Sequence, residues 1–257
     1  MPLVFVTRET EGDREPYEIL FAMRLYFIRH AQSANNALYD TTGSDAGRSD
    51  DPELTPAGER QAALLGAFIG ANSDPLESGG YGLTHVYTSP MVRAVNTALE
   101  VANAAKLEPM VWDDWHEVGG IWNTNDSGER VGREGKNRAY FADRFPRVRV
   151  PGGWGVDRGW WSRPHESEEA YMPRAKRAWA ELLSRHGGTH DRVAVVSHGY
   201  FFALLMAAVL ELPDLGPFWF MMNNTGLTRF DVRENEYDNV RVAYMNRLSH
   251  LPDDLVT

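Results

Sequence analysis

Two short apolar runs in this chain each break off at a histidine beside a turn. Leu25-Tyr26-Phe27-Ile28 runs into Arg29-His30, and Val193-Ala194-Val195-Val196 runs into Ser197-His198-Gly199. Unbroken apolar runs this short are those of strands buried on both faces, the arrangement of a parallel sheet. In open parallel sheets the side chains at the carboxyl ends of the strands gather along one edge, where ligands bind. The two histidines are therefore expected to meet, although a single histidine at a strand end is as readily a structural residue.

The rest of the chain alternates between strand and helix. Thr55-Pro56-Ala57-Gly58-Glu59 opens a helix that extends to residue 71, with Thr55 as its cap and Pro56 at the first helical position. A strand is predicted over 83–88 and a helix over 91–105, then a strand over 110–112, a helix over 167–186, and a buried apolar helix over 200–210. Residues 227–232 and 240–245, on either side of the polar Glu234-Asn235-Glu236, read as a terminal hairpin, and residues 33–52 as a polar loop. Such alternation predicts an α/β fold with a largely parallel sheet and helices on both faces, in one domain spanning 1–257.

The segment 121–165 breaks the alternation. It carries Trp122, Trp154, Trp160 and Trp161 and nine basic residues against five acidic ones, without sustained period. It reads as an irregular insertion over the active-site edge, a lid or substrate-binding segment. Its tryptophans either bind the organic part of a ligand or pack the insertion against the sheet.

Charge narrows the function classes. A net charge of −10 argues against nucleic acid or an anionic membrane surface as partner. The absence of cysteine removes thiolate catalysis, disulfides and sulfur-ligated zinc. Residues 1–7 are too few for a signal h-region, and the charged stretch 8–15 follows, so a cytoplasmic location is expected. His186 and His190 have the i, i+4 spacing of a helical metal pair, but Gly187-Gly188 between them reads as a helix end, so no metal site is assigned.

Several further residues suit phosphate. Arg29 precedes the first histidine, and Ser89-Pro90-Met91-Val92-Arg93 puts a second guanidinium in the first turn of a helix. Two such forks match the oxygens of a phosphoryl group, whereas either alone reads as a salt bridge. Together the motifs resemble one family. Arg29-His30-Ala31-Gln32-Ser33-Ala34-Asn35-Asn36 is similar to the R-H-G-x-S-x-x-N motif of the histidine phosphatase superfamily, also called the phosphoglycerate mutase-like family. Leu54-Thr55-Pro56-Ala57-Gly58-Glu59-Arg60-Gln61-Ala62 resembles its L-T-x-x-G-x-x-Q-A element, and Ser89 to Ala98 its S-P-x-x-R-A-x-x-T-A element. Glu117-Val118-Gly119 stands where the family has its acid and glycine, Val196-Ser197-His198-Gly199 matches the second histidine motif, and Asn223-Asn224-Thr225 resembles the asparagine motif. Two positions depart from the pattern: Ala31 replaces a glycine, which is strained if that backbone is left-handed, and Gln32 replaces a common glutamate.

The resemblance implies a three-layer α/β/α sandwich and a covalent phosphohistidine route with no cofactor. His30 is then the nucleophile, and burial among arginines keeps its imidazole neutral. Arg29, Arg93 and His198 hold the phosphoryl oxygens, with Ser33, Asn36, Gly199 and Asn224 at the substrate. Glu117 donates a proton to the leaving oxygen and later takes one from water, with Asp113, Asp114 and His116 as competitors for that role. The expected activity is metal-independent hydrolysis of a small phosphorylated substrate. A mutase using the same pocket and a noncatalytic phospholigand-binding module are the alternatives, and substrate identity and oligomeric state stay open.

Overall fold

The computed structural model describes residues 23–71, 74, 76, 80–233 and 239–257. The readings made on residues 1–15 and on Glu234-Asn235-Glu236 lie outside the described residues. In chain order the elements are β1 (Met23–Arg29), α1 (Ala34–Thr42), α2 (Pro56–Ala71), β2 (His85–Thr88), α3 (Val92–Ala105), β3 (Met110–Val111), β4 (Trp122–Thr124) and β5 (Arg130–Gly132). They continue with α4 (Arg138–Arg144), α5 (Glu168–His186), β6 (Asp191–Ser197), α6 (Gly199–Val209), β7 (Leu227–Val232) and β8 (Val240–Arg247).

Six strands form one sheet in the order β3-β2-β6-β1-β7-β8. The first four run parallel, whereas β7 and β8 are antiparallel to their neighbours, as the hairpin reading required. Alternation along β1 explains the layers. Met23, Leu25 and Phe27 turn to one face, where they pack with Val193, Val195 and the buried residues of α5 and α6. Tyr26 and Ile28 turn to the other and meet Val86, Ala194 and Val196 with Leu65 and Ile69 of α2 and Ala94, Ala98 and Val101 of α3. The helices cover both faces of the sheet, a three-layer α/β/α sandwich.

Each helix carries the pattern its position demands. On α5 the buried Tyr171, Ala175, Ala178, Trp179 and Leu182 form one stripe. Helix α6 is apolar nearly all round because it is buried nearly all round. Thr55 caps α2, with Oγ1 accepting from the Gly58 amide at 3.0 Å. Gly58 has no latitude, because a Cβ there would drive into the Gln32 carbonyl oxygen.

Two regions differ from expectation. Part of the predicted polar loop 33–52 is helical: α1 starts on a capping box between Ser33 and Asn36 and stops at Gly43, φ 64°. No residue of α1 is buried, so it has no apolar stripe for a periodicity to reveal. The insertion 121–165 is also not wholly irregular. It contains the β4–β5 hairpin and α4, capped by the Asn137 side chain accepting from the Tyr140 amide at 2.9 Å. These pieces are too short for a sequence window to register. Trp154, Trp160 and Trp161 are buried in a separate cluster with Phe141, Phe145 and the start of α3, so of the two readings offered for them, packing is the one observed. No described helix is long and apolar enough to cross a membrane.

Candidate active site

Strands β1 and β6 pair in register with Arg29 opposite Ser197, which brings the residues that follow them together. The rings of His30 and His198 lie with centroids 5.0 Å apart at 60°. His30 is buried, and its Nδ1 is 2.7 Å from the Ala31 carbonyl oxygen. An acceptor there puts the proton on Nδ1, leaving a lone pair on Nε2. That lone pair accepts from Arg93 Nε at 3.1 Å. Burial above all, then the charges of Arg93 and Arg29, holds the imidazole pKa well below the usual histidine value. Ala31 costs no strain in place of glycine, since its φ is not positive, and its amide is tied to Thr97 Oγ1 at 3.0 Å.

Of the two arginines, Arg93 is buried and Arg29 half-buried. Arg29 donates from Nη1 to the Met222 carbonyl at 2.6 Å, while its Nε is buried without a partner. Gly199 lets the chain pass, since a Cβ there would crowd Arg29 Nε at 3.3 Å. Arg93 sits in the first turn of α3, where no side chain of the helix itself caps the terminus. Asp51 supplies that cap, its Oδ1 accepting from the Val92 amide at 3.0 Å. Burial lowers the pKa of both guanidinium groups, and among the described residues neither is in an ion pair. Arg29 feels the carboxylates of Glu117 and Asp40 and Arg93 those of Asp51 and Glu117 through space, and the N–H groups of both suit an entering anion.

Glu117 reaches the same place from the loop after β3. Its Oε1 accepts from the Val118 amide at 2.9 Å and the Phe201 amide at 3.0 Å, and its Oε2 from the Tyr200 amide at 3.2 Å. It thus caps α6, whose positive end holds the carboxylate in place. The competitors are elsewhere. Asp113 accepts from Trp154 Nε1 at 2.6 Å, Asp114 is paired with Arg177, and His116 packs edge-on to Trp161.

Arg29, His30, Ser33, Asn36, Arg93, Glu117 and Gly199 line one pocket of about 360 Å³. Two predicted site residues do not line it. His198 is fully buried beside His30, with Nε2 2.8 Å from Ser89 Oγ, and its pKa is likewise driven well below the usual value by burial. Asn224 donates from Nδ2 to the His30 carbonyl at 2.8 Å. It holds the loop of His30 from behind. Gln61 does similar work, since its Oε1 accepts from the Gln32 amide and its Nε2 donates to the Leu255 carbonyl, at 2.7 and 2.8 Å.

The walls came from residues that sequence reasoning missed: Tyr39, Asp40, Asp45, Arg48, Tyr200 and the stretch Trp219, Phe220, Met221, Met222. None of the lining residues belongs to 121–165, the expected lid. The insertion reaches the rim at Trp122, whose carbonyl accepts from Arg48 Nη1 at 2.8 Å and whose ring lies 3.5 Å beneath the Arg48 guanidinium. A larger hollow of about 960 Å³ lies between β3 and the insertion, and its lining contains no histidine.

Side chains of metal-ligating type gather at the opposite end of the strands. His85, His186 and Asp191 bring donor atoms within 4.8 Å of one another, so His186 groups with these residues. His186 Nδ1 is 2.9 Å from Asp191 Oδ2, and its Nε2 is 3.0 Å from the Tyr87 hydroxyl. Both ring nitrogens thereby tether the end of α5 to the sheet.

Comparison with known proteins agrees with this geometry. A probable phosphoglycerate mutase of Yersinia enterocolitica is 25% identical over 216 residues, covering 84% of this chain and 87% of its own. Phosphoserine phosphatase 1 of Hydrogenobacter thermophilus is 28% identical over 198 residues, covering 77% and 80%. Among solved structures, phosphoserine phosphatase of Entamoeba histolytica in complex with 3-phosphoglyceric acid is similar in fold, with TM-score 0.55 at 21% identity over 90% of this chain and 100% of that one. The histidine phosphatase superfamily (branch 1) matches residues 25–244, and with both histidines, both arginines and the acid in the order of that family's motifs, the chain belongs to it.

Proposed function

We propose that this enzyme is a metal-independent phosphomonoester hydrolase of the cytoplasm that acts through a phosphohistidine on His30 Nε2, with Glu117 as proton donor. One observation carries the reading: the lone pair of a neutral, buried imidazole shares a small pocket with the guanidinium groups of Arg29 and Arg93 and the carboxylate of Glu117. A phosphoryl group entering that pocket takes over the N–H groups of Arg29 and Arg93, which frees Nε2 from Arg93. Nε2 then forms a bond to phosphorus as the bond to the leaving oxygen breaks, and that oxygen takes the proton of Glu117. In the second half Glu117 accepts a proton from water, the water oxygen bonds to phosphorus, and the P–N bond breaks to release inorganic phosphate and the free imidazole. His198 and Asn224 act as positioning residues for His30.

Relatives carry the names of both mutases and phosphatases. What favours hydrolysis here is that none of the basic residues of the insertion lines the pocket, so that store of charge is not available to hold a bisphosphate. The test is hydrolysis of 4-nitrophenyl phosphate in EDTA by the wild type and His30→Ala. Expected are chelator-resistant turnover and its loss in the variant. Equal activity in both removes the reading, and strict dependence on added 2,3-bisphosphoglycerate makes the enzyme a mutase.

A further inference from the structure

The mouth of the pocket has two unlike kinds of side chain. Asp40, Asp45 and Arg48 line it together with Tyr39, Tyr200, Trp219, Phe220 and Met221, of which Tyr200 and Trp219 are in ring contact. Tyr39, Trp219 and Met221 are more than half exposed, at 56%, 54% and 70%, and Phe218 beside them is 61% exposed. Scattered apolar side chains on a surface are ordinary, but a cluster of them at the rim of a reactive pocket marks a contact with something apolar.

The direction of the leaving group connects this cluster to the chemistry. Glu117 Oε2 accepts from the Tyr200 amide, so an oxygen protonated by Glu117 departs beside the Tyr200 residue. The Tyr200 ring meets the Trp219 ring edge-on, centroids 4.8 Å apart, forming a wall. At its other end the stretch is anchored, because the Met222 carbonyl accepts from Arg29. The same strip of chain therefore touches the phosphate-facing arginine and the aromatic wall.

Charge points the same way. Arg29 and Arg93 serve the phosphoryl group. The remaining guanidinium, Arg48, turns its Nη1 and its face to Trp122. A second anion on the leaving group would enter a pocket that Asp40 and Asp45 also line. A volume of about 360 Å³ takes a phosphoryl group and a small ring system.

On the hydrolase reading above, we propose that residues 219–222 with Tyr200 form a leaving-group subsite, and that the substrate is a monoester of phosphate with an uncharged apolar, preferentially aromatic, alcohol. The test compares kcat/KM for 1-naphthyl phosphate, glycerol 3-phosphate, phosphoserine and 3-phosphoglycerate in the wild type, Trp219→Ala and Trp219→Phe. The expected wild-type preference for 1-naphthyl phosphate over glycerol 3-phosphate is about tenfold or more, the scale of one hydrophobic pocket contact. Trp219→Ala is expected to erase about tenfold of that ratio and Trp219→Phe to keep most of it. Trp219 is half exposed, so its truncation leaves the core intact, and inhibition by benzylphosphonate against phosphonoacetate reads the same preference without turnover. Equal or better use of 3-phosphoglycerate or phosphoserine, or a ratio that Trp219→Ala does not move, overturns the subsite while leaving the hydrolase standing. Failure of every ester, with no phosphate trapped on His30, overturns the hydrolase instead.

Discussion

At the scale of single residues, the site is a division of labour between groups that face the cavity and groups that hold them. His30 is presented by one carbonyl behind Nδ1 and one guanidinium in front of Nε2, so its tautomer follows from its neighbours. Glu117 has its two oxygens unequally held: Oε1 accepts from two amides, while Oε2 has a single, longer contact with the Tyr200 amide. In the proposed mechanism Oε2, the less engaged oxygen, is the one that carries the proton. Glu117→Gln, which keeps the size but cannot cycle a proton, is expected to lower kcat/KM for an alkyl phosphate by about 10²–10⁴. The loss with 4-nitrophenyl phosphate, whose leaving group departs unprotonated, is expected to be far smaller. Steady-state kinetics on the two esters check this, and equal losses on both would remove Glu117 as the acid.

At the scale of elements, the motif residues that touch no ligand explain why the site keeps its shape. Gly58 admits the Gln32 backbone, Gln61 ties that backbone to residue 255, and Thr97 takes the Ala31 amide. The resemblance places these residues in the family's motifs, but only packing shows what each does. The insertion is a different kind of element. Its aromatic residues are spent on a cluster of its own beside α3, with the Phe141 ring 4.9 Å from that of Trp154 at 89°. Phe141→Ala is therefore expected to cost about 3–5 kcal/mol of stability, as large buried aromatics do, while KM per folded molecule stays within about twofold. Denaturant unfolding and kinetics on the folded fraction measure the two. A KM raised strongly with little loss of stability would make the segment a lid after all.

At the scale of the whole molecule, buried titratable groups couple stability to pH. Burial holds His30, His116 and His198 well below the ordinary histidine pKa, and His250 at about 4. Below about pH 6.5 the unfolded chain protonates these imidazoles and the folded chain does not, so acid favours unfolding. Asp51 and Asp113 act in the opposite sense. Burial raises both to about 6, so between that pH and about 4 the folded state keeps protons that the unfolded state releases. With His165 and His186 also lowered by burial, six depressed histidines against two raised carboxyl groups leave a net loss on acidification, up to about 1.4 kcal/mol per pH unit for each uncompensated group. Thermal unfolding at pH 7 and pH 5 is expected to show the lower Tm at pH 5, and a higher one there would contradict the assignment of these histidines as neutral in the fold.

What the chain's order of residues already contained was everything that depends on period and on local chemistry. The apolar runs of β1 and β6, the cap at Thr55, the stripe on α5 and the histidine, arginine and glutamate motifs are legible because each is written in a few consecutive or regularly spaced residues. Helix α1 was not legible, since it buries nothing and so carries no stripe, and neither were the short pieces of the insertion. Folding alone decided which face each residue turns. His198 and Asn224 stand behind His30, Trp154, Trp160 and Trp161 turn inward, and Tyr39, Arg48, Tyr200 and Trp219 become the pocket's walls. Those outcomes depend on contacts between segments tens to hundreds of residues apart, which no local pattern encodes.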